Sequence, residues 1–215
     1  MTTLLLADSS VAETARLPDP VVRRRARLTL AVLALVCTLP VIASYLMFYV
    51  WPPQGRVNHG ELLPPALLPG ETLAGLAGQA PLMRGELEGQ WTLVTVAPAA
   101  CDERCQQALY VSRQARVAQA KEMERVARLW LVSEAGDPAE SLLQAHADLR
   151  LARADAAWLA ALPADPAGAV WLVDPLGQVM MRFGPDIDRT RAARGMTKDL
   201  QRLLKYSALG RGGRE

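Results

Sequence analysis

Two cysteines, Cys101 and Cys105, stand where a predicted strand gives way to a predicted helix. The strand is the apolar run from Trp91 to Val96, which contains several β-branched residues, as buried strands do. A cysteine at the start of a helix lies in the positive field of the helix N-terminus, which stabilises a thiolate. The pattern therefore predicts redox chemistry or soft-metal binding at this pair.

The alternative for the same pair is a purely structural disulfide. Side chains four residues apart on a regular helix have Cβ atoms roughly 5–6 Å apart, whereas a disulfide needs about 3.5–4.5 Å. The two cysteines can therefore bond only if the first helical turn deforms, which favours a reducible bond over a passive cross-link. The third cysteine, Cys37, lies inside an apolar run and is expected to act as a small hydrophobic residue in lipid.

The composition narrows the classes of function. A chain of 215 residues, 51% hydrophobic and with a net charge of +2, has room for one ordinary domain plus extensions. It has no glycine-rich phosphate loop, no zinc-type motif and no basic segment with interleaved aromatic residues. These observations argue against a nucleotide cofactor and against a nucleic-acid partner.

The N-terminal region predicts a membrane anchor. Residues 1–27 are predicted to be a cytoplasmic tail that ends in the basic cluster Arg23 to Arg27, and residues 28–50 carry no charge. Residues 28–50 form a run longer than the roughly 20 residues that cross a bilayer, and the positive cluster places the N-terminus in the cytoplasm. A cleavable signal peptide is disfavoured by the length of the run. For a bacterial chain this predicts the inner membrane, with the remaining residues in the periplasm, where cysteine pairs can be oxidised.

The segments beyond the anchor divide into three. Residues 51–81 contain six prolines and are predicted to be an extended periplasmic arm, which either docks a partner or simply links membrane to domain. Residues 82–207 are predicted to form the folded domain. Residues 208–215, rich in glycine and arginine, are predicted to be a loose C-terminal tail.

The predicted elements of the domain follow the order strand, helix, strand, helix, strand, strand, helix. The helical crossover after the first strand requires a parallel neighbour, and Asp174 to Gly177 forms the turn of an antiparallel hairpin. This is the topology of a thioredoxin-like α/β domain, with the cysteines at the carboxyl end of a central strand. The predicted strands are 91–96, 126–133, 169–173 and 178–183, and the predicted helices are 101–117, 141–149, 154–161 and 188–206.

Taken together, these features resemble the Sco/SenC proteins. The resemblance rests on the single anchor, the Cys-x-x-x-Cys spacing and a late strand and turn that read V-W-L-V-D-P-L-G, and it covers roughly Leu82 to Lys205. It implies a membrane-anchored factor that matures the copper site of cytochrome c oxidase, with an oxidase subunit or another assembly factor as partner. It also implies that Cys101 and Cys105 are the thiolate ligands of Cu(I), or that Cys101 attacks and Cys105 resolves in thiol–disulfide exchange.

One departure from the family pattern concerns the third copper ligand, a histidine shortly before the Asp-Pro turn. The matching stretch, Ala164 to Ala169, contains none. His59 in the arm and His146 on a predicted helix are the two histidines that remain as replacement ligands, and either Met180 or Met181 must point into the core by strand alternation. Without the matching histidine, thiol exchange or weak, transient copper handling is favoured over tight copper storage.

Two other functions remain open. A general periplasmic thiol–disulfide oxidoreductase would have a cis-proline facing the cysteines, a position that Pro166 is placed to fill. A non-catalytic scaffold for oxidase assembly would use the domain surface and the arm, although retention of both cysteines counts against it.

Overall fold

A computed structural model describes residues 20–50, 58–162 and 168–208, and the chain divides into two compact units, residues 1–55 and 56–215. The first unit contains helix α1 (Pro20–Tyr49), with Pro40 inside it. By length and composition α1 is able to cross a membrane, and its side chains are exposed throughout. It includes nearly the whole of the predicted transmembrane run.

The second unit is a mixed sheet flanked by helices. Its strands are β1 (Glu61–Leu67), β2 (Trp91–Ala97), β3 (Val126–Val132), β4 (Leu149–Arg153), β5 (Val170–Val173) and β6 (Gln178–Phe183). Its α-helices are α2 (Glu103–Val117), α3 (Glu140–Ala145), α4 (Ala156–Ala161) and α5 (Arg189–Tyr206), and short 3₁₀ helices span Arg84–Glu86 and Ala120–Arg125.

Within the described residues the sheet order is β1-β6-β5-β2-β3-β4. Strands β2, β3 and β4 run parallel, whereas β5 is antiparallel to both β2 and β6. The predicted parallel crossover and the predicted final hairpin are therefore confirmed. Strand β2 lies in the middle of the sheet and is buried along almost its whole length, as expected for a strand covered on both faces.

The core lies on both faces of the sheet. One cluster packs α2 and α5 against β2, β5 and β6, and α5 contributes Met196, Leu200 and Leu204. The other cluster packs Trp158 of α4 and several leucines against the opposite side. Helix α5 has its apolar residues on one side and its basic residues on the other, so one face is buried while the other stays in solvent.

The predicted arm over residues 51–81 is corrected for the part that the structure describes. Strand β1 pairs antiparallel with β6 at the edge of the sheet, and Leu68, Leu73 and Leu82 are buried in the core. Prolines within β1 obscured the strand in the sequence, but an edge strand tolerates them because one of its sides has no ladder to complete. The folded domain therefore begins near residue 58 rather than at Leu82, and residues 51–57 lie outside the described residues.

A second correction concerns residues 141–149, predicted as one helix. Helix α3 ends at Ala145, and residues 149–153 form β4, which pairs with β3. Leu149 and Leu151 are buried and Arg150 is only partly so, a period of two that indicates a strand. The predicted helix 101–117 also begins two residues later, at Glu103.

Candidate functional site

Cys101 and Cys105 form a disulfide, with an S–S distance of 2.01 Å and a Cα–Cα distance of 5.1 Å. The prediction that the first helical turn must deform is corrected, because Cys101 lies before the helix. Its backbone has φ of +43°, a left-handed conformation that is uncommon for a residue with a side chain. Asp102 is the N-cap and accepts a hydrogen bond from the backbone N–H of Cys105 at 2.9 Å. The turn between the cysteines thus brings Cys101 toward the helix without disturbing the helix itself.

Backbone hydrogen bonds hold Cys101 in this conformation. Its N–H donates to the carbonyl of Pro98 at 3.1 Å, and its own carbonyl accepts from the side-chain amide of Gln106 at 3.1 Å. Two bonds therefore fix the strained residue from both sides, one from the loop that follows β2 and one from α2.

The disulfide is buried, with relative exposures of 1% for Cys101 and 2% for Cys105. Its surroundings are apolar and include Leu109, Trp130 and Leu151, and the indole N–H of Trp130 donates to the carbonyl of Ala97 at 3.2 Å. Neither sulfur is open to attack in this conformation. Access by a second protein therefore requires the loop that carries Cys101 to move outward.

A groove of about 540 Å³ lies beside the first turns of α2. Its lining is a mixture of apolar and polar residues, and the side-chain amide of Gln107 donates to the backbone carbonyl of Asp186. The apolar lining residues are Ala108, Val111, Val170, Phe183, Pro185, Ile187, Ala192 and Met196, and those with polar side chains are His59, Glu103, Arg104, Gln107, Asp186 and Arg189. The groove has the character of a binding surface for a partly apolar polypeptide segment.

His59 reaches this groove because the start of the folded domain is fixed against α5. The buried carboxylate of Asp199 accepts hydrogen bonds from the N–H groups of His59 and Gly60, at 2.7 and 2.8 Å. The ring of His59 also packs directly on Gly195, where a Cβ atom would lie only 2.2 Å from the imidazole. A glycine at this position is therefore required by the close approach.

His146 lies in a different environment, at the end of α3 beside a buried ion pair. Its Nδ1 is 3.5 Å from the guanidinium of Arg128, which is bonded to the carboxylate of Asp148. Burial, followed by the positive charges of Arg128 and Arg113, lowers the pKa of His146 below its ordinary value of 6.5. Arg113 is exposed on α2 near this ion pair, whereas Arg104 lies at the groove.

The donor set suits two sulfur ligands and no more. Within residues 20–50, 58–162 and 168–208, no three His, Cys, Asp or Glu side chains are grouped as a metal ion requires. His59 and His146 therefore do not join the cysteines in such a group, and Met181 is buried in the core while Met180 is half-buried. Once reduced, Cys101 and Cys105 offer a pair of soft thiolates of the kind that Cu(I) prefers. Pro166 lies outside the described residues.

Arg128 and Asp148 are the residues near the site that sequence reasoning missed. Arg128 sits on β3, is buried, and donates through Nη2 to the carbonyl of Leu109 in α2 at 2.6 Å. It thereby ties the cysteine-bearing helix to the sheet one turn beyond Cys105. The sequence did contain a signal for it: Arg128 is the one charged residue in an otherwise apolar strand, and a buried charge needs a partner.

Comparisons with known proteins agree with this architecture. The family model described as "transmembrane-like, thioredoxin-like, C-terminal domain" matches residues 91–207. Apo Sco1 from Thermus thermophilus is 17% identical, covering 69% of this chain and 99% of that chain, with a TM-score of 0.52. Yeast Sco1 with copper bound is 15% identical, covering 67% and 92% respectively, with a TM-score of 0.51. At these identities the likeness establishes the fold. No curated protein matches the sequence.

Proposed function

The chain belongs to the family of transmembrane-like, thioredoxin-like C-terminal domains, and from that premise we propose that it is a membrane-anchored thiol–disulfide exchange protein. The observation that carries the proposal is the Cys101–Cys105 disulfide, formed between a loop cysteine and a cysteine in the first turn of α2. A cysteine pair at the carboxyl end of a central strand and the start of a helix is well placed for this chemistry.

The exchange begins with the reduced form of the pair. The thiolate of Cys101 attacks one sulfur of a target disulfide, forming a mixed disulfide and releasing the second target sulfur, which takes up a proton. The thiolate of Cys105 then attacks the Cys101 sulfur and expels the first target sulfur. The target gains two electrons and two protons as a dithiol, while this chain becomes the Cys101–Cys105 disulfide. A dithiol donor protein must reduce that disulfide before the next cycle.

The roles of the two cysteines follow from where each is held. Cys105 lies inside α2 with its N–H capped by Asp102, so it stays with the helix. Cys101 lies on a loop, and its left-handed backbone costs on the order of 1 kcal/mol for a residue with a Cβ atom. Once the disulfide is reduced, relaxation of this backbone moves the Cys101 sulfur outward. Cys101 is therefore the attacking residue and Cys105 the resolving one.

The target that we propose is the pair of cysteines at the copper site of cytochrome c oxidase, with transient Cu(I) handling as an accompanying role. The motif resemblance to Sco/SenC proteins supports this target, and the two thiolates without a grouped third ligand favour transient over tight copper binding. The proposed location is the bacterial inner membrane with the domain in the periplasm, supported by the apolar α1 and the arginines that precede its apolar run. The proposed partner is an oxidase subunit or another assembly factor.

The chemistry is tested on the full chain in detergent micelles, carrying Cys37→Ser to leave only the pair. Equilibration with glutathione buffers, followed by thiol alkylation and mass measurement, should show one two-electron transition. The single variants Cys101→Ser and Cys105→Ser should abolish it. A mixed disulfide with a target peptide should accumulate in Cys105→Ser and be absent in Cys101→Ser. Accumulation in the opposite variant would reverse the assignment of roles.

Copper handling is tested by titrating the reduced chain with Cu(I) against a competing chelator. We expect binding that depends on both cysteines but is outcompeted by a chelator of high affinity. Tight one-to-one binding that is also lost in His59→Gln would instead make copper carriage the main function, with His59 as the third ligand. The same result with His146→Gln would identify His146.

Measuring oxidase assembly in cells distinguishes the proposed function from two others, a non-catalytic scaffold and a general thiol–disulfide oxidoreductase. Loss of oxidase activity with Cys101→Ser/Cys105→Ser, and normal activity with Cys37→Ser, is the result expected of the proposed function. Full activity of the double variant, in cells where deletion of the chain prevents assembly, would identify a scaffold. Normal assembly after deletion, with unreduced periplasmic targets of other kinds, would identify a general oxidoreductase.

A further inference from the structure

The outer face of α5 carries a continuous stripe of positive charge. The stripe consists of Arg191, Arg194, Lys198, Arg202 and Lys205, all of them exposed. Their spacings of three and four residues place them within an arc of about 80° at 100° per residue. That arc is directed away from the buried face of the helix, so the whole stripe meets solvent.

Few carboxylates offset this charge. Asp199 is the single acidic residue of α5 and is buried, where it accepts bonds from the N–H groups of His59 and Gly60 and lies 3.8 Å from the guanidinium of Arg202. Asp186 pairs with Arg191 at one end of the stripe. Within the described residues, Arg194 and Lys198 have no carboxylate partner. The centre of the stripe is therefore positive charge in contact with water.

The chain enters the folded domain beside this stripe. Asn58 and His59 line the same surface depression as Arg194 and Lys198. Residues 50–57 are all that separate Asn58 from the end of α1, the helix able to cross a membrane. A segment of that length reaches about 30 Å when fully extended. At most about 30 Å of chain therefore separates Asn58 from the end of α1.

The last residue of α5 adds an aromatic group to the same helix. Tyr206 is 80% exposed, and the ammonium of Lys205 lies 5.3 Å from the centre of its ring. Tyrosine has an apolar ring and a polar hydroxyl, which suits the boundary between head groups and acyl chains. The positive stripe, the short connection to α1 and the exposed Tyr206 all suit contact with a bilayer surface.

We propose that this α5 stripe is a membrane-contact surface that holds the domain against anionic phospholipid head groups. Each basic residue near an anionic bilayer strengthens adsorption on the order of fivefold. Adsorption lowers the number of orientations that the domain can take, and it keeps the groove beside α2 at a fixed height for a membrane-embedded target. The proposal depends on α1 as an anchor and does not depend on the thiol chemistry.

The test uses the full chain reconstituted in vesicles, with a fluorescent amino acid at the exposed position Gln201. Energy transfer to acceptor-labelled head groups is compared between phosphatidylcholine alone and phosphatidylcholine with phosphatidylglycerol. We expect higher transfer in the anionic vesicles, with the difference removed at high salt because the Debye length shortens. Arg194→Gln/Lys198→Gln should lower the adsorption equilibrium about 25-fold, whereas Arg194→Lys/Lys198→Arg should retain it.

The matched control is Arg113→Gln/Lys121→Gln, which removes two exposed positive charges that lie off the stripe. It should behave as the unaltered chain. Equal transfer in both kinds of vesicle would overturn the proposal and leave an acidic protein as the occupant of the stripe. An equal loss in the control and in the stripe variant would also overturn it, because net charge rather than the stripe would then govern adsorption.

Discussion

Two arginine–aspartate pairs lie near α2, and they differ in burial more than in chemistry. Arg128 is fully buried, and its Nη1 lies 2.9 and 3.2 Å from the two carboxylate oxygens of Asp148. Arg191 forms an equally close bidentate pair with Asp186, at 2.7 and 2.8 Å, but its side chain is 68% exposed. Judged by their N–O distances alone, the two pairs would be expected to contribute equally to stability.

Burial gives the first pair a structural role that the second lacks. The remaining donors of Arg128 reach the hydroxyl of Ser112 at 3.1 Å and the carbonyl of Leu109 at 2.6 Å, and both acceptors belong to α2. Burial lowers the pKa of Arg128, and the charge of Asp148 opposes that shift. A charge in this position is tolerated only because every one of its partners is present. The two pairs differ in the burial of the arginine: Arg191 is solvated whether or not its partner is there, although the side chain of Asp186 is only 16% exposed.

The largest expected effect follows from breaking the buried pair. Arg128→Met removes the guanidinium and leaves Asp148, Ser112 and Leu109 without its donors, so we expect a loss of about 3–5 kcal/mol in the free energy of unfolding. Chemical denaturation of the full chain in micelles, followed by tryptophan fluorescence, measures it. The control is Arg113→Met, on the exposed face of α2, which should change the free energy of unfolding by about 0.5 kcal/mol or less.

A paired substitution separates the cost of an orphaned charge from the worth of the pair. Arg128→Met/Asp148→Leu removes both charges, and we expect it to recover part of the lost stability, because the carboxylate is no longer left with Arg116, 3.5 Å away, as its remaining cation. A double variant as unstable as Arg128→Met would show that the guanidinium contributes mainly through its bonds to α2.

Asp199 is an intermediate case, a buried carboxylate whose partners are two backbone N–H groups. Asp199→Ala removes Oδ2, the single oxygen that accepts from both N–H groups, so we expect a loss of about 1–3 kcal/mol. Hydrogen exchange should show faster opening of residues 58–60 and of β1, with the cysteine helix unaffected. Arg202→Gln removes the more distant, exposed partner of Asp199 and should leave the exchange of β1 unchanged.

The sequence was sufficient where one element's own residues decide its structure. The runs that became β2, β3 and β5 are mostly apolar, β6 alternates in burial directly after a turn, and Asp188 marks the start of α5 as an N-cap should. The cysteine pair was identified by spacing alone. Such features depend on residues that are neighbours in the chain.

The features that escaped prediction depend on residues far apart in the chain. Strand β1 is stabilised by β6, which lies more than a hundred residues later, and its prolines argue against a strand when read locally. Arg128 is explained only by Asp148 and by a carbonyl of α2. The left-handed backbone of Cys101 is a different case, because its hydrogen-bond partners Pro98 and Gln106 are only three and five residues away, but the residue types in this stretch give no sign of a positive φ at a residue with a Cβ atom.

A smaller effect concerns pH and belongs to His146, which borders the buried pair. Because burial and then Arg128 and Arg113 lower its pKa, the unfolded chain binds a proton near pH 6.5 that the folded chain does not. Stability is therefore complete above pH 6.5 and declines as the pH falls below it, toward the lowered pKa. Thermal unfolding between about pH 5 and 7.5 measures the decline. His146→Gln should flatten that part of the profile.

The smallest expected effect comes from the exposed pair. The side-chain hydrogen bond from Arg191, together with the N–H of Asp188, lowers the pKa of Asp186 to about 2, so the pair contributes stability above pH 3.8 that is lost as the pH falls toward 2. At neutral pH, Arg191→Gln should move the midpoint of thermal unfolding by no more than about 4 °C, because water replaces the exposed guanidinium and the N–H of Asp188 still bonds the carboxylate. The pKa of Asp186, followed by NMR, should rise toward its ordinary value in the same variant. If Arg191→Gln instead destabilised the chain as much as Arg128→Met, burial would not be what distinguishes the two pairs, and the loop that Asp186 anchors would be as important to the fold as α2.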